Sequence, residues 1–290
     1  MPNKKHKAAK AVSMYVKQFN NHDVLGHSAE MGFYLLTALF PFMILLFVIA
    51  TLISDSMQNL LLNLLTFLPR DLEIMITELL LSFKGSLPII ITASVFGLWY
   101  TSNVISTLTK AMNKFYAVKE TRGFFKLRGM FLLFALFIII LIILSFSLII
   151  FSQGTHFIVL KIDFFDFFDT EKIWDYSRYI VILFVIFITI ALMFKTLPNK
   201  KLSFKAVALG SLLTTIAWCV TSLGFSYYVN SFSRYHVIYG SLASIIILTT
   251  WVYLSSLVIL AGGSINAFFY KIRLAKKITN AQIQDYKDLT

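Results

Sequence analysis

Six long stretches of this chain contain no charged residue, and they restrict its fold more than any other feature. A helix needs roughly 20 apolar residues to cross about 30 Å of hydrocarbon. Hydrophobic residues make up 58% of the chain and charged residues only 14%, against about 25% charged residues in soluble domains. We therefore predict six transmembrane segments, at residues 33–53, 87–108, 131–151, 179–194, 206–229 and 239–268.

These segments are expected to be helical, because an open strand in lipid would leave its backbone N–H and C=O groups without partners. The predicted fold class is an all-α membrane protein, a single membrane domain over residues 1–290 that forms a bundle of six transmembrane helices. Amphipathic interfacial helices are expected beside the bundle. Residues 8–22, within the N-terminal segment 1–28, place apolar residues at helical spacing, and so do residues 57–83 on either side of Pro69.

Positive charges indicate which ends of the segments face the cytoplasm. Most of the 26 Lys and Arg residues lie in residues 1–28, in the loops after the second and fourth segments, and in the tail 269–290. Cationic loops stay cytoplasmic, so we predict a multi-pass protein of the bacterial cytoplasmic (inner) membrane with both termini inside. The net charge of +12 then follows from topology and calls for no nucleic acid partner. The basic rim would also attract anionic lipid headgroups.

Sequence patterns typical of catalysis are not found. The chain has neither the G-x-x-x-x-G-K-[ST] loop of P-loop ATPases nor the G-x-S-x-G turn of serine hydrolases. Its histidines are not spaced as metal ligands except for His22 and His27, which no acidic cluster accompanies. A single cysteine, Cys219, excludes an intrachain disulfide. We predict no enzymatic activity, no metal and no cofactor.

Polar side chains inside the apolar segments are a better guide to function, because they are costly in hydrocarbon and tend to face a bundle interior or a cavity. They recur at three- and four-residue steps in the first, second, fifth and sixth segments, so each set shares one helix face. The candidate path-lining residues are Glu30, Tyr34, Thr37, Trp99, Asn103, Ser106, Thr214, Trp218, Ser222, Tyr239, Ser241 and Asn266. Helix packing is the alternative for the small residues, and a first-turn interfacial acid that suits the helix dipole is the alternative for Glu30.

Two further groups of residues complete the predicted site. Pro41 removes the amide hydrogen that would bind the Thr37 carbonyl, so it is expected to kink the first helix. The candidate hinge residues are Pro41, Gly240, Gly262 and Gly263. The candidate contacts for an anionic headgroup are Lys110, Lys114 and Arg122, and simple anchoring at the cytoplasmic surface is the alternative for these three.

Three sets of motifs carry a resemblance to a known family. The first motif is AEMGFY followed by LFP, within residues 29–41. The second set is Leu98-Trp99, AMNKFY at 111–116 and ETR at 120–122. The third is LPNKK at 197–201, YGSLA at 239–243, WVYL at 251–254 and GGSINA at 262–267. Together these motifs resemble the YihY/BrkB family of bacterial inner-membrane proteins, over nearly the whole chain.

The resemblance implies six transmembrane segments, in agreement with the charge pattern, and a loosely transporter-like role. An older family name, ribonuclease BN, implies a nuclease. RNA cleavage usually needs metal-held carboxylates or a positioned acid–base pair, and the basic side of this sequence indicates neither. The family often has a glutamate where this chain has Ser264, so a mechanism that depends on that carboxylate is not expected to apply here.

The sequence leaves three function classes open. The first is a membrane transporter or lipid flippase without its own ATPase, moving an anionic lipid or solute through a polar path among helices 1, 2, 5 and 6. The alternative is a non-transporting scaffold that recruits or regulates cell-envelope enzymes. A third class, an enzyme acting on lipid headgroups, needs acids converging at one depth, and Glu30 alone does not meet that need. Membrane lipids are the expected partners, and a second copy of the chain or an envelope protein stays open.

Overall fold

The computed structural model describes residues 4–53, 58–59, 62–63, 65, 70–82, 87–134, 136–137, 141, 170–231 and 241–288. Within this part of the chain every regular element is an α-helix. The helices are α1 (Lys4–Asn21), α2 (Val24–Ile53), α3 (Arg70–Ser82), α4 (Leu87–Phe115), α5 (Thr170–Thr196), α6 (Phe204–Ser231) and α7 (Ser241–Asp288). Residues 124–134 are also helical. The prediction of an all-helical chain is therefore confirmed for the residues that the structure describes.

The helices extend beyond the apolar segments. α2 begins at Val24 rather than at residue 33, α4 continues to Phe115, and α7 continues to Asp288, well into the predicted tail. Lys, Arg, Gln and Ala are good helix formers, so a helix can continue after its apolar residues end. The predicted segment 131–151 lies mostly outside the described residues, and so do Tyr239 and Gly240.

Two of the described helices are long and apolar enough to cross a membrane. They are Phe204–Val229 within α6 and Ile245–Ala275 within α7, and Ile180–Thr196 within α5 is a shorter apolar helix. The number of six segments, their limits in the membrane and the cytoplasmic termini stay predictions.

Residues with positive φ mark the turns at two helix ends. Asp23 (φ 51°) separates α1 from α2, and its Oδ1 accepts a hydrogen bond at 3.2 Å from the amide three residues further on, which caps α2. Ala117 (φ 53°) follows α4. The amide of Val118 donates to the Asn113 carbonyl at 3.0 Å, and the Ala117 amide donates to the Lys114 carbonyl at 3.2 Å. This is a Schellman motif, which satisfies the last carbonyls of the helix.

The chain divides into two compact units. Unit 1 consists of Met1–Ala111 and Ala217–Ala261, and unit 2 consists of Met112–Ile216 and Gly262–Thr290. In unit 1, the helix α3 packs on α2 through a cluster of buried apolar side chains. These are Phe47, Leu65, Ile76 and Leu80.

Glycines allow two further helices of unit 1 to approach α2 closely. A Cβ placed on Gly97 of α4 would lie 3.4 Å from the Cβ of Pro41, and one placed on Gly32 of α2 would lie 3.6 Å from the Cα of Tyr253 in α7. Pro41, a candidate hinge, is therefore packed against α4.

In unit 2, α6 and α7 pack through small residues in both directions. A Cβ on Gly210 of α6 would overlap the side chain of Asn266, and a Cβ on Gly262 of α7 would overlap the side chain of Thr214. The Asn266 amide Nδ2 also donates to the Val207 carbonyl at 3.2 Å. Small residues that let two backbones approach are typical of helix contacts in membranes.

Candidate functional site

One face of α4 changes from apolar to polar along its length. Its first part exposes Leu87, Ile91 and Val95, each at least 60% exposed. Trp99 follows, 56% exposed, and the same face then continues with polar residues. These are the partly buried Asn103 and Ser106 and the exposed Lys110. The spacing of three or four residues keeps all of them on one side of the helix.

The opposite face of α4 is buried. Ser102, Ile105, Leu108 and Thr109 are at most 2% exposed, and the Thr109 hydroxyl donates to the Ile105 carbonyl at 2.8 Å. The Ser102 hydroxyl oxygen is buried without a hydrogen-bond partner within the described part of the chain. The polar residues Asn103, Ser106 and Lys110 are therefore distinct from these fully buried residues of α4.

Glu30 of α2 lies beside the polar end of this face and is hydrogen-bonded. Its Oε1 accepts a hydrogen bond from the Thr107 hydroxyl at 3.1 Å, and its Oε2 lies 3.4 Å from Nδ1 of His27. The Lys110 ammonium is 4.0 Å from Oε1. The Glu30 side chain is 36% exposed and that of Lys110 is 66% exposed. The group therefore offers one carboxylate and one ammonium to a polar molecule at the surface.

The other predicted path-lining residues of unit 1 differ in their surroundings. Tyr34 and Thr37 are partly buried, and the Thr37 hydroxyl donates to the Phe33 carbonyl at 3.0 Å. Trp218 is partly buried and meets Trp251 edge to face, with ring centroids 6.3 Å apart. The Ser222 hydroxyl is buried and has no partner among the described residues. Ser241 is the first residue of α7, and Tyr239 lies outside the described residues.

Four candidate residues in unit 2 serve helix packing in this structure. Thr214 is 2% exposed and Asn266 is 1% exposed, so neither offers surface to a path. Gly262 and Gly263 lie inside the continuous helix α7. A Cβ on Gly262 would overlap Thr214, and a Cβ on Gly263 would come within 2.6 Å of the Met112 sulfur. These contacts favour the helix-packing alternative for all four residues, and their part in a path stays a prediction.

Arg122, a predicted headgroup contact, is engaged within unit 2. Its Nε and Nη2 donate to the two carboxylate oxygens of Glu120 at 2.8 and 2.6 Å, and Nη2 also donates to the Leu197 carbonyl at 2.7 Å. The bidentate guanidinium lowers the pKa of Glu120 to about 2. Lys114, by contrast, is exposed at the end of α4. Arg122 is therefore engaged by protein groups, whereas Lys110 and Lys114 are exposed; headgroup contact by any of the three stays a prediction.

Sequence reasoning missed a hydrogen-bonded contact between two loops of unit 2, which we call the loop latch. It consists of Asn113, Glu120, Arg122 and Asn199. The Asn113 amide donates to Glu120 Oε2 at 2.8 Å, and its Oδ1 accepts from the backbone amide of Asn199 at 2.7 Å. The Asn199 side chain then donates to the Lys119 carbonyl at 2.8 Å. Asn113 lies in the AMNKFY motif and Asn199 in the LPNKK motif, and these two motifs were the sequence feature that could have indicated the contact.

Comparison with known proteins places the chain in a family. The sequence model described as "Virulence factor BrkB" matches residues 15–284. The chain belongs to the BrkB family. The resemblance inferred from the three sets of motifs is thus confirmed. No solved structure matches the fold.

Among its relatives, the BrkB-family chain is 30% identical over 261 residues to the ribonuclease-like protein YfkH of Bacillus subtilis, covering 88% of this chain and 93% of the relative. It is 40% identical over 76 residues to a UPF0761 membrane protein of Pseudoalteromonas translucida, covering 26% of this chain and 25% of that one. A UPF0761 membrane protein of Vibrio atlanticus is 43% identical over 70 residues, which is 24% of this chain and 22% of the relative. The similarity to these membrane proteins and the apolar helices together identify this chain as a membrane protein.

Proposed function

We propose that this BrkB-family protein is a transporter or lipid flippase without an ATPase of its own. It moves an anionic lipid or solute that enters at the polar part of the exposed α4 face. The protein lies in the bacterial cytoplasmic membrane with six transmembrane helices and both termini inside. In this topology the C-terminal end of α4 points to the cytoplasm, so Lys110 lies near the inner headgroups.

The observation that carries this proposal is the change of polarity along α4. A helix face that meets only lipid tails should stay apolar over the full hydrocarbon thickness, because polar groups are costly there. Asn103 precedes Lys110 in α4 and lies about 10 Å from it along the helix axis, at about 1.5 Å per residue. Polarity therefore reaches well beyond the snorkelling distance of one lysine, and a headgroup path into the membrane accounts for it.

Glu30 contributes to the selectivity of this path. Its carboxylate oxygen lies 4.0 Å from the Lys110 ammonium, and the lysine side chain is 66% exposed, so the ammonium stays accessible to a ligand. A phosphate that meets Lys110 would be attracted by the cation, while Glu30 would disfavour solutes that carry excess negative charge. Lipids with one phosphate charge fit this arrangement better than multiply charged solutes.

The test is lipid exchange in reconstituted vesicles. The purified chain is placed in liposomes with a fluorescent phosphatidylglycerol, and exchange between leaflets is followed by quenching from outside, with and without a proton gradient. We expect faster exchange than in protein-free vesicles, and about a tenfold loss in Lys110→Gln, as for one charge-assisted hydrogen bond. Lys126→Gln removes an exposed lysine after α4 and should leave the rate unchanged.

The transport proposal is wrong if lipid exchange is equally fast in vesicles with and without the protein, both with and without a proton gradient. The same result would favour the scaffold, which needs no exchange. The ribonuclease wording belongs to the Bacillus relative. We propose that this chain is no nuclease, and labelled RNA incubated with the same preparation should stay intact.

A further inference from the structure

The short loop after α4 leads into a helix of unit 2 that begins with two exposed phenylalanines. This helix covers the described residues 124–134, and its first hydrogen bond joins the Leu127 amide to the Gly123 carbonyl at 3.0 Å. Phe124 is 73% exposed and Phe125 is 88% exposed. Of the large hydrophobic side chains in the described part of the chain, Phe125 is the most exposed.

The rings of Phe124 and Phe125 form one apolar patch, which we call the Phe pair. Their centroids are 5.6 Å apart and their planes meet at 81°, the edge-to-face arrangement that aromatic rings prefer. Gly123, just before them, leaves open space, since a Cβ built on it would meet no atom within 4 Å. Exposed apolar surface of this kind marks a place where a protein meets a membrane or another molecule.

The charge around the Phe pair distinguishes between these occupants. Residues 119–128 contain four basic residues and one acid. That acid, Glu120, is bound by Arg122 at 2.6 Å, so the stretch keeps a net positive charge. Lys119 is exposed, and its carbonyl accepts a hydrogen bond from the Asn199 side chain at 2.8 Å. A cationic surface around an apolar patch suits anionic lipid headgroups, whereas a second copy of the chain would bring another cationic patch against it.

The position of the Phe pair along the chain fits the depth of the headgroup layer. Residues 129–151 contain no charged residue and include the predicted membrane segment 131–151. Arg128 is the last charged residue before this run, and it lies about 5 Å after Phe125 along a helix axis. The headgroup layer is about 5–8 Å thick on each side of the hydrocarbon. A helix that enters the membrane with this segment therefore has the Phe pair in the headgroup layer.

We propose that the Phe pair inserts into the headgroup layer of a membrane surface that contains anionic lipid, and anchors the start of its helix there. Phenylalanine is typical of the apolar face of interfacial helices, and basic residues beside it are attracted to anionic headgroups. The anchor also fixes the first of the two loops that the loop latch joins. This inference does not depend on transport, because the scaffold alternative puts the same helix at the membrane surface.

The experiment measures the depth of residue 125 by electron paramagnetic resonance. The full chain carries Cys219→Ser, which removes its single cysteine, and Phe125→Cys, which takes a nitroxide spin label. The chain is placed in nanodiscs of phosphatidylcholine and phosphatidylglycerol. Collisions of the label with oxygen, which prefers lipid, are compared with collisions with a nickel chelate, which stays in water.

The matched control is a spin label at Lys201→Cys, an exposed residue of the LPNKK turn in the same unit. We expect the ratio of oxygen to nickel collisions to be at least about threefold higher at residue 125 than at residue 201. Adding Phe124→Ser to the chain labelled at residue 125 removes half of the anchor and should lower its ratio by about half. Nanodiscs of phosphatidylcholine alone should also lower the ratio, because the basic stretch then meets no anionic headgroups.

Three results would overturn the proposal. The first is a label at residue 125 that meets the nickel chelate as often as the label at residue 201 does, since the patch then faces water or a soluble partner. The second is spin–spin broadening between labels at residue 125, which would place a second copy of the chain on the patch. The third is an equal collision ratio in the two lipid mixtures, which would exclude a part for anionic lipid.

Discussion

The contact between Gly210 and Asn266 makes a quantitative prediction about the packing of α6 on α7. In Gly210→Ala the new methyl group would lie 2.7 Å from Asn266 Nδ2 and closer still to Oδ1 and Cγ. Asn266 is 1% exposed, so its side chain would have to move within the buried contact between α6 and α7. Overpacking of this kind costs about 1–3 kcal/mol, and displacing Asn266 from the Val207 carbonyl costs about 0.6 kcal/mol more in a membrane protein.

A second glycine of α6 supplies the matched control. A Cβ on Gly224 would meet nothing within 4 Å, so Gly224→Ala should gain only the helix-forming advantage of alanine, about 0.5–1 kcal/mol. Gly210→Ala has the same advantage and should still be destabilised by about 1–3 kcal/mol in total. The difference between the two variants, about 2–4 kcal/mol, isolates the overlap with Asn266.

The assay is unfolding of the purified chain in mixed detergent micelles, followed by the fluorescence of its 4 tryptophans. The double variant Gly210→Ala/Asn266→Ala removes the overlapping atoms, so its free energy of unfolding should exceed that of Gly210→Ala alone. If Gly210→Ala proves as stable as Gly224→Ala, or if the double variant recovers nothing, the described packing of α6 and α7 is wrong.

Two further predictions concern the loop latch. The pKa of Glu120 lies at about 2 instead of 4.5, so its stabilising effect is complete above pH about 4.5 and is lost as the pH falls towards 2. The melting temperatures of the unchanged chain and of Glu120→Gln should therefore converge on acidification, and a constant difference would contradict this. Asn113→Ala should destabilise by about 1–3 kcal/mol, because it leaves partners of a buried amide unpaired; Lys114→Ala, at the exposed neighbour, should unfold like the unchanged chain.

The helical class could be predicted from the sequence because long uncharged stretches admit few other structures in lipid. The helix ends could not be predicted in the same way. The Lys, Arg and Ala residues after Phe268 are good helix formers, so α7 continues beyond its apolar part. The polar face of α4 was also visible in the sequence, because four-residue spacing within one helix is a local property.

The partners of polar residues were beyond the sequence because they depend on distant segments. Thr214 and Asn266 have the same spacing pattern as Asn103, yet they are buried at a close helix contact, while Asn103 is partly exposed. Arg122 looked like an anchor of the inner rim, and only the tertiary structure places Glu120 and the Leu197 carbonyl around it. Periodicity gives the face of a residue, but not what that face meets.

The loop latch has a mechanical consequence. Asn113 belongs to the last turn of α4 and its side chain binds the backbone of Asn199, 86 residues away. A rotation of this helix end about its axis would therefore have to break that hydrogen bond or displace the LPNKK turn with it. The 2.7 Å hydrogen bond thus couples the position of the α4 end to that of a turn far along the chain.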